Sequence, residues 1–331
     1  MKRLFVAFFI IMAGMSACSV SHAWEPAKPV IVVIGNAPGA GNEIAFRKLA
    51  SIISEKKMSR VKFVIENKPG ADSVVGMNYV YDAAPDGYTI GIPSHMSTFV
   101  TNDIWEKKIK RFDYNSFEYV LTMGKSPLVL VAWPNSKVNT PTDFVKLIAT
   151  TDKPVNIAIG GGAHRMAYEY LMVKGNGKRD QVKFIKFQGP LQAVTSVASL
   201  DAGGTEFGIM PIAVAHPLAD AGKVKIIGFT GDRKLTQYPN VPFLSSIAPG
   251  INVYAAWAIA LPPKTPKDIV AWYQRTFSAA MKTKEYKEWC DQNLVFIEDR
   301  ELNPKGLGQQ IEELRATFLP MQKYISAEGT N

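Results

Sequence analysis

The sequence predicts an α/β protein of two lobes with a ligand cleft between them. Val30–Ile34 is a continuous β-branched run, the pattern of a strand buried on both faces. A glycine turn and an amphipathic helix follow it. The same succession of strand, glycine turn and helix returns at Val155–Ile159 and residues 160–173. No low-complexity linker and no short repeat interrupts the chain. Two α/β lobes facing each other would bring both glycine turns to one cleft, because open α/β sheets bind ligands beyond the carboxyl ends of their strands.

Taken in order, residues 35–41 break the first strand. From Asn42 the apolar residues Ile44, Phe46, Leu49, Ala50, Ile52 and Ile53 fall on one broad helical face. The Asn42 side chain suits a helix N-cap, where it can accept from a free N–H. Residues 61–65 form the next strand, completing a parallel strand-helix-strand unit. Residues 73–84 read as a second helix ended by Pro85, and 88–92 as a third strand. Strands are further expected at 128–132, 182–187, 206–210, 223–230 and 253–261, with helices at 142–148 and 191–200. Pro266 is placed to start a helix over 267–282. Helices near 285–293 and 308–325 close the chain.

The chain has 331 residues and is 47% hydrophobic and 20% charged, enough to bury one large core or two smaller ones. Its formal net charge is +9. The basic residues are scattered, so they describe a solvated surface or a diffuse field that gathers anions. No zinc spacing, RNA-binding motif or dense basic helix argues for a nucleic-acid partner.

The N-terminus has the form of an export signal. Lys2 and Arg3 supply the positive end and residues 4–15 an apolar core of signal-peptide length. Ser21-His22-Ala23 presents small residues for cleavage after Ala23, giving a leader of residues 1–23. A rival lies at Met15-Ser16-Ala17-Cys18, a lipoprotein-like box that would tether the protein through Cys18. With Cys18 removed, Cys290 is the single remaining cysteine and no intramolecular disulfide forms.

Candidate binding residues gather at the turns. The first, Asn36-Ala37-Pro38-Gly39-Ala40-Gly41-Asn42, opens a helix whose free N–H groups and dipole favour an anion. It is neither a dinucleotide fingerprint nor a phosphate loop. The second, Gly160-Gly161-Gly162-Ala163-His164-Arg165, spends three glycines at a strand-helix junction, which suggests close backbone approach. Arg165 or His164 could pair with a carboxylate. Ser94 and His95 follow the third strand and lie at the same edge; such hydroxyls also serve as helix caps. Hydrolytic machinery does not assemble: the chain has no Gly-x-Ser-x-Gly elbow, His-Glu-x-x-His helix or Cys-x-x-Cys pair. Cys290 lies beside Trp289 on an amphipathic helix and reads as packing.

These residues also carry a family resemblance. Lys28-Pro29, the strand after it, Pro38 to Arg47, Glu66-Asn67-Lys68-Pro69-Gly70-Ala71 and Pro85-Asp86-Gly87-Tyr88-Thr89 stand in a specific order. Pro239-Asn240-Val241-Pro242, Trp257 and Thr265-Pro266-Lys267-Asp268 continue it. The chain resembles the periplasmic solute-binding proteins of tripartite tricarboxylate transporters, the Bug family, over essentially all of its length after the leader. The resemblance implies a two-lobe, periplasmic-binding-protein-like (type II) fold. One lobe would comprise residues 24–123 plus 255–331 and the other 124–254. It also implies a soluble periplasmic protein, expected as a monomer without cofactor or enzymatic activity. Such a protein captures a small organic acid and delivers it to cognate membrane transporter subunits. A sensing role and a periplasmic enzyme using the same cleft are the alternatives.

Ligand contacts would come from residues 36–42 and 160–165. Departures from the family pattern stand at Ala40, Glu43, Gly162, Arg165 and Met210-Pro211. Met210 accepts hydrogen bonds poorly. It therefore suggests an acid without an adjacent amino group and with an apolar body, to which Tyr168 and Phe99 could add a wall.

Overall fold

The computed structural model describes residues 24–105, 109–175 and 177–324. The expected leader, with Cys18, lies outside the described residues. In chain order the first elements are β1 (Val30–Ile34), α1 (Gly41–Glu55), β2 (Phe63–Asn67), α2 (Val74–Asp82) and β3 (Thr89–Gly91). A π-helical turn (Ser97–Thr101) runs into the short α3 (Asn102–Trp105). Then come β4 (Glu118–Ala132), α4 (Pro141–Thr150), β5 (Val155–Ile159), α5 (Gly162–Lys174), β6 (Val182–Lys186), α6 (Pro190–Ala198), β7 (Phe207–Pro211), α7 (Ile212–Asp220) and β8 (Lys225–Phe229). The chain closes with β9 (Tyr254–Leu261), α8 (Lys267–Met281), α9 (Lys284–Gln292) and α10 (Pro304–Phe318).

The strands run in the order β2-β1-β3-β9-β4-β7-β5-β6, with β8 also on β4. β1 pairs in parallel with β2 and β3, and β5 in parallel with β6 and β7. These are the two strand-helix-strand units expected from the sequence. What joins them is β4. Its residues 118–127 pair with β9, and its residues 128–132 pair with β7 and β8. One strand therefore belongs to both halves of a two-lobed sheet.

The sequence shows only the last third of β4, for a physical reason. Gly124, Lys125, Ser126 and Pro127 interrupt the apolar run, and the register with β9 shifts twice before Gly124. Gly124 sits at φ +151, and a Cβ there would stand 2.5 Å from Val295 Cγ1. Lys125 is buried at this crossing. It pairs with Glu298 and lies 4.8 Å above the Tyr254 ring. Its backbone exchanges hydrogen bonds of 2.8 and 2.7 Å with Phe296. The C-terminal segment, into which α9 leads, thus binds the strand where it changes lobes, and Tyr286 Oη adds a hydrogen bond of 2.8 Å to Met123 O.

The Pro85-to-Thr89 motif proves architectural. Gly87 has φ +82, where a Cβ would meet the Trp24 ring at 2.6 Å, and its carbonyl accepts from Tyr273 Oη at 2.6 Å. Tyr88 and Trp272 complete the aromatic contacts around Trp24. α10 begins earlier than periodicity suggests. Asn303 caps it by accepting from Gly306 N at 2.9 Å, and Pro304 holds its first turn.

Candidate ligand-binding cleft

At the end of β1 the chain turns into α1. The expected N-cap role of Asn42 is corrected here: Ala40 holds the cap position, with no side-chain cap bond. Asn42 lies inside the helix, and its Nδ2 donates to Asn36 Oδ1 (3.0 Å) and to Ile92 O (3.2 Å). It ties the ends of β1 and β3 together. Glu43, 4% exposed, turns its carboxylate back into the turn. Oε2 accepts from Gly39 N (3.2 Å) and from Asn67 Nδ2 (3.1 Å), and Oε1 accepts from Arg47 Nε (2.7 Å). Asn67 also donates to Asn36 O at 2.9 Å, so the Glu66-to-Ala71 motif supports the first turn from behind. A Cβ on Gly41 would stand 2.5 Å from Trp257 Cζ2, which makes the indole the floor beneath this turn.

The second turn opens α5 from the other lobe. Gly160 N donates to His164 Nδ1 at 3.0 Å. Gly162 N donates to Asp72 Oδ2 at 2.7 Å, and Thr101 Oγ1 donates to the same oxygen at 3.3 Å. Ala163 N donates to Ser97 Oγ at 3.3 Å. A Cβ on Gly162 would overlap both Thr101 Oγ1 and the Asp72 carboxylate. Glycine is needed here for close approach, as the sequence suggests, but the approaching group belongs to the opposite lobe of the same chain.

Between the turns lie two adjoining cavities. The inner one, about 30 Å³, is lined by Asn36, Ala40, Gly41, Asn42, Asp72, Ser94, Ser97, Gly160, Gly161, Ala163, His164, Pro190, Pro211, Ala255 and Trp257. It has room for little more than water. The outer one, about 360 Å³, runs from Gly35, Asn36 and residues 69–73 across Gly160 and Gly161 to Lys186, Phe187 and Gln188. Ala40, Gly41 and Asn42 bring to the inner cavity the first N–H groups of α1, which a helix start leaves without intrahelical acceptors.

The remaining candidates lie elsewhere. Ala37, Pro38 and Gly39 line neither cavity. Gly39, at φ +85, faces Leu191 at the start of α6, where a Cβ would come within 2.8 Å of Leu191 Cδ2. His95 is fully buried, with Nε2 3.3 Å from Thr122 Oγ1. Gly162 is covered by Asp72. Arg165 pairs with Glu169 at 3.4 Å and lies over the Phe184 ring, away from both cavities. Met210 pairs across the sheet with Val129 and is buried in the core of the second lobe. Its thioether forms no wall of the cleft and does not bear on whether the ligand carries an amino group. Phe99 and Tyr168 are likewise core, packed on Phe112 and Tyr119 and on Phe144 and Phe184. The aromatic residues that do line the cavities are Trp257 in the inner one and Phe187 in the outer one.

Asp72, Trp257, Lys186, Phe187 and Gln188 are cleft residues that the sequence reading passes over. Lys186 ends β6 and Phe187 and Gln188 follow it, and the rule that ligands sit beyond strand ends points to them as much as to the glycine turns. Asp72 gives a weaker signal, a carboxylate just after Pro69-Gly70-Ala71.

Burial lowers the pKa of both His95 and His164 to about 4, so both rings are neutral near pH 7. His164 accepts at Nδ1, which leaves Nε2–H as the donor of its ring. Burial also pushes the Cys290 thiol up to about 12, consistent with packing. Among the described residues no group of His, Cys, Asp and Glu could hold a metal ion. No helix among them is long and apolar enough to cross a membrane.

The receptor family of tripartite tricarboxylate transporters, TctC, matches residues 45–302. BugT of Bordetella pertussis is 23% identical over 287 residues, covering 86% of this chain and 85% of its own. MatC of Rhodopseudomonas palustris, solved with bound malate, superposes with a TM-score of 0.81 at 20% identity, over 90% of this chain and 100% of that one. A second R. palustris protein, solved with adipate, gives 0.81 at 17% identity, over 90% and 97%. These structures share the two-lobed fold, and the family match extends over most of the sequence. The chain belongs to the tripartite tricarboxylate transporter receptor family.

Proposed function

We propose that the protein is a periplasmic solute receptor that closes its two lobes on a small carboxylic acid and delivers it to a tripartite transporter. The observation that carries this reading is the inner cavity, where the start of α1 meets the second glycine turn. It offers what a carboxylate needs: unspent N–H groups, the favourable end of a helix dipole, hydroxyls and a neutral histidine donor. The malate and adipate held by the two R. palustris proteins support the same ligand class. The lobes are residues 24–123 plus 255–331, and 124–254, with the leader 1–23 removed on export. The inner cavity is too small to admit an acid unless the lobes part. Opening would bend β4 and β9 near Lys125, where the chain changes lobes. A ligand that touches both lobes then favours closure.

A thermal-shift screen of mono-, di- and tricarboxylates and aromatic acids tests the ligand class. At 100 times its dissociation constant a bound acid adds about 2.7 kcal/mol of stability. Small-angle scattering should show a smaller radius with the bound acid. A screen without any acid that stabilises the protein, with an equal response to the corresponding amides, would contradict the reading. Mass spectrometry of the exported protein should place its N-terminus at Trp24; a lipidated Cys18 would replace the soluble form with a tethered one.

A further inference from the structure

Asp72 stands in the cleft in a way that no ligand-binding turn requires. Ala71, Asp72 and Ser73 are three successive non-glycine residues in the left-handed region, at φ 44, 50 and 77. Such backbone is uncommon for side-chain-bearing residues and persists only where its surroundings over-determine it. Here Asn102 Nδ2 holds the Asp72 carbonyl at 3.0 Å. The result is a carboxylate carried across from one lobe to the helix start of the other, 2.7 Å from Gly162 N. It borders both the inner and the outer cavity.

We infer that Asp72 is a specificity residue that restricts the ligand to a single carboxylate. The inference rests on the carboxylic-acid reading above and deepens it. The start of α5 already has its anion, supplied by the protein, and the favourable field of that helix is neutralised by it. A ligand carboxylate at the start of α1 is therefore welcome, whereas a second carboxylate at the far end of the same ligand meets Asp72 as a like charge. Lys186 on the wall of the outer cavity is exposed, and water screens what it offers in return. A neutral far end, such as an amide or a hydroxyl, escapes the repulsion. Asp72 acts by charge, so its effect is separable from the shape of the cleft.

The test is a cycle of charge changes on ligand and protein, read by titration calorimetry on the purified protein. The ligands are succinate, glutarate and adipate, each paired with its monoamide, which keeps the shape and removes one charge. The protein variants are D72N, whose amide oxygen can still accept from Gly162, and D72G, which relaxes the left-handed backbone. The wild type should bind the better-fitting monoamide at least about tenfold more tightly than its diacid. Both variants should close that gap by improving diacid binding. A wild type that prefers the diacid, or a gap unchanged in D72N and D72G, overturns the inference while leaving the carboxylate reading intact. Equal binding of diacids, monoamides and the corresponding diamides would overturn both, because then no carboxylate is recognised at all. The wild-type comparison stands even if a variant fails to fold.

Discussion

At the start of α1 the turn is braced by a carboxylate from its own helix, Glu43, and floored by Trp257 from the same lobe. At the start of α5 the corresponding carboxylate, Asp72, arrives from the opposite lobe, together with Ser97 and Thr101. The two turns look alike in sequence, each a strand followed by glycines and a helix. Their glycines nevertheless serve different ends. Gly41 makes room within a lobe, so its contact exists whether the cleft is open or shut. Gly162 makes room between lobes, so its contact exists only when the cleft is shut. In the closure proposed above, the first turn would stand as the receiving surface and the second would form only on closing.

Acid should have the largest effect on the two lobes. His164 at the second turn and His95 in the first lobe are held neutral, with pKa lowered to about 4 from 6.5. Between those values the unfolded chain binds more protons than the folded one. The stability from each buried ring is therefore fully present above pH 6.5 and is lost as the pH falls towards 4. The loss is about 3 kcal/mol per ring at most. Denaturant midpoints across this range should fall steeply, and His95→Gln should flatten the curve more than His164→Gln, because an opened cleft rehydrates His164.

Substituting the glycines sharpens the distinction. Gly41→Ala should destabilise the free protein by about 1–3 kcal/mol, since the added methyl presses on the Trp257 ring in every state. Gly162→Ala should cost less in the free protein, because opening relieves the overlap, and should instead weaken ligand binding and block compaction. Equal thermal shifts for the two variants would erase the difference between the turns.

The bracing carboxylates form the next pair. Glu43→Ala strands Gly39 N and one of the two Asn67 Nδ2 protons within the first lobe and should cost about 1–3 kcal/mol by denaturant titration. Asp72→Asn should cost less than about 1 kcal/mol, because its contacts across the cleft are partly exposed and an amide oxygen can replace them. The smallest effect is expected at Arg165. Arg165→Ala should change acid affinity by less than about 0.5 kcal/mol in calorimetry, because Arg165 pairs with Glu169, lies over the Phe184 ring and lines neither cavity.

The fold was largely legible in the sequence because β-branched runs and helical periodicity report burial directly, as Val30–Ile34 and Val155–Ile159 do. β4 was legible only at its end. Its first two-thirds carry Gly124 and Pro127, and pairing with β9 overrides that local pattern. The cleft was legible as backbone and much less so as side chains. Glycine turns after strands announce where chain comes close, and Asn36, Gly41, Gly160 and His164 do line the inner cavity. Sequence does not reveal which way a side chain points at a strand end. Met210 therefore reads as a cleft wall and lies in the core, while Phe187 reads as the end of a strand and borders the cleft. Asp72 acts on a helix distant in sequence, and no local pattern marks such a contact.

In the proposed complex the start of α1 receives the ligand carboxylate, while the start of α5 is occupied by Asp72. Backbone amide shifts in a titration with the tightest-binding acid, and with its amide, test this arrangement residue by residue. The Gly41 and Asn42 amides should move strongly with the acid and weakly with its amide, whereas Gly162 should reach the same position, that of an amide bonded to Asp72, with every ligand that closes the cleft. End-point shifts at Gly162 and Ala163 that differ between the acid and its amide, with Gly41 and Asn42 unmoved, would place the ligand carboxylate at α5 instead.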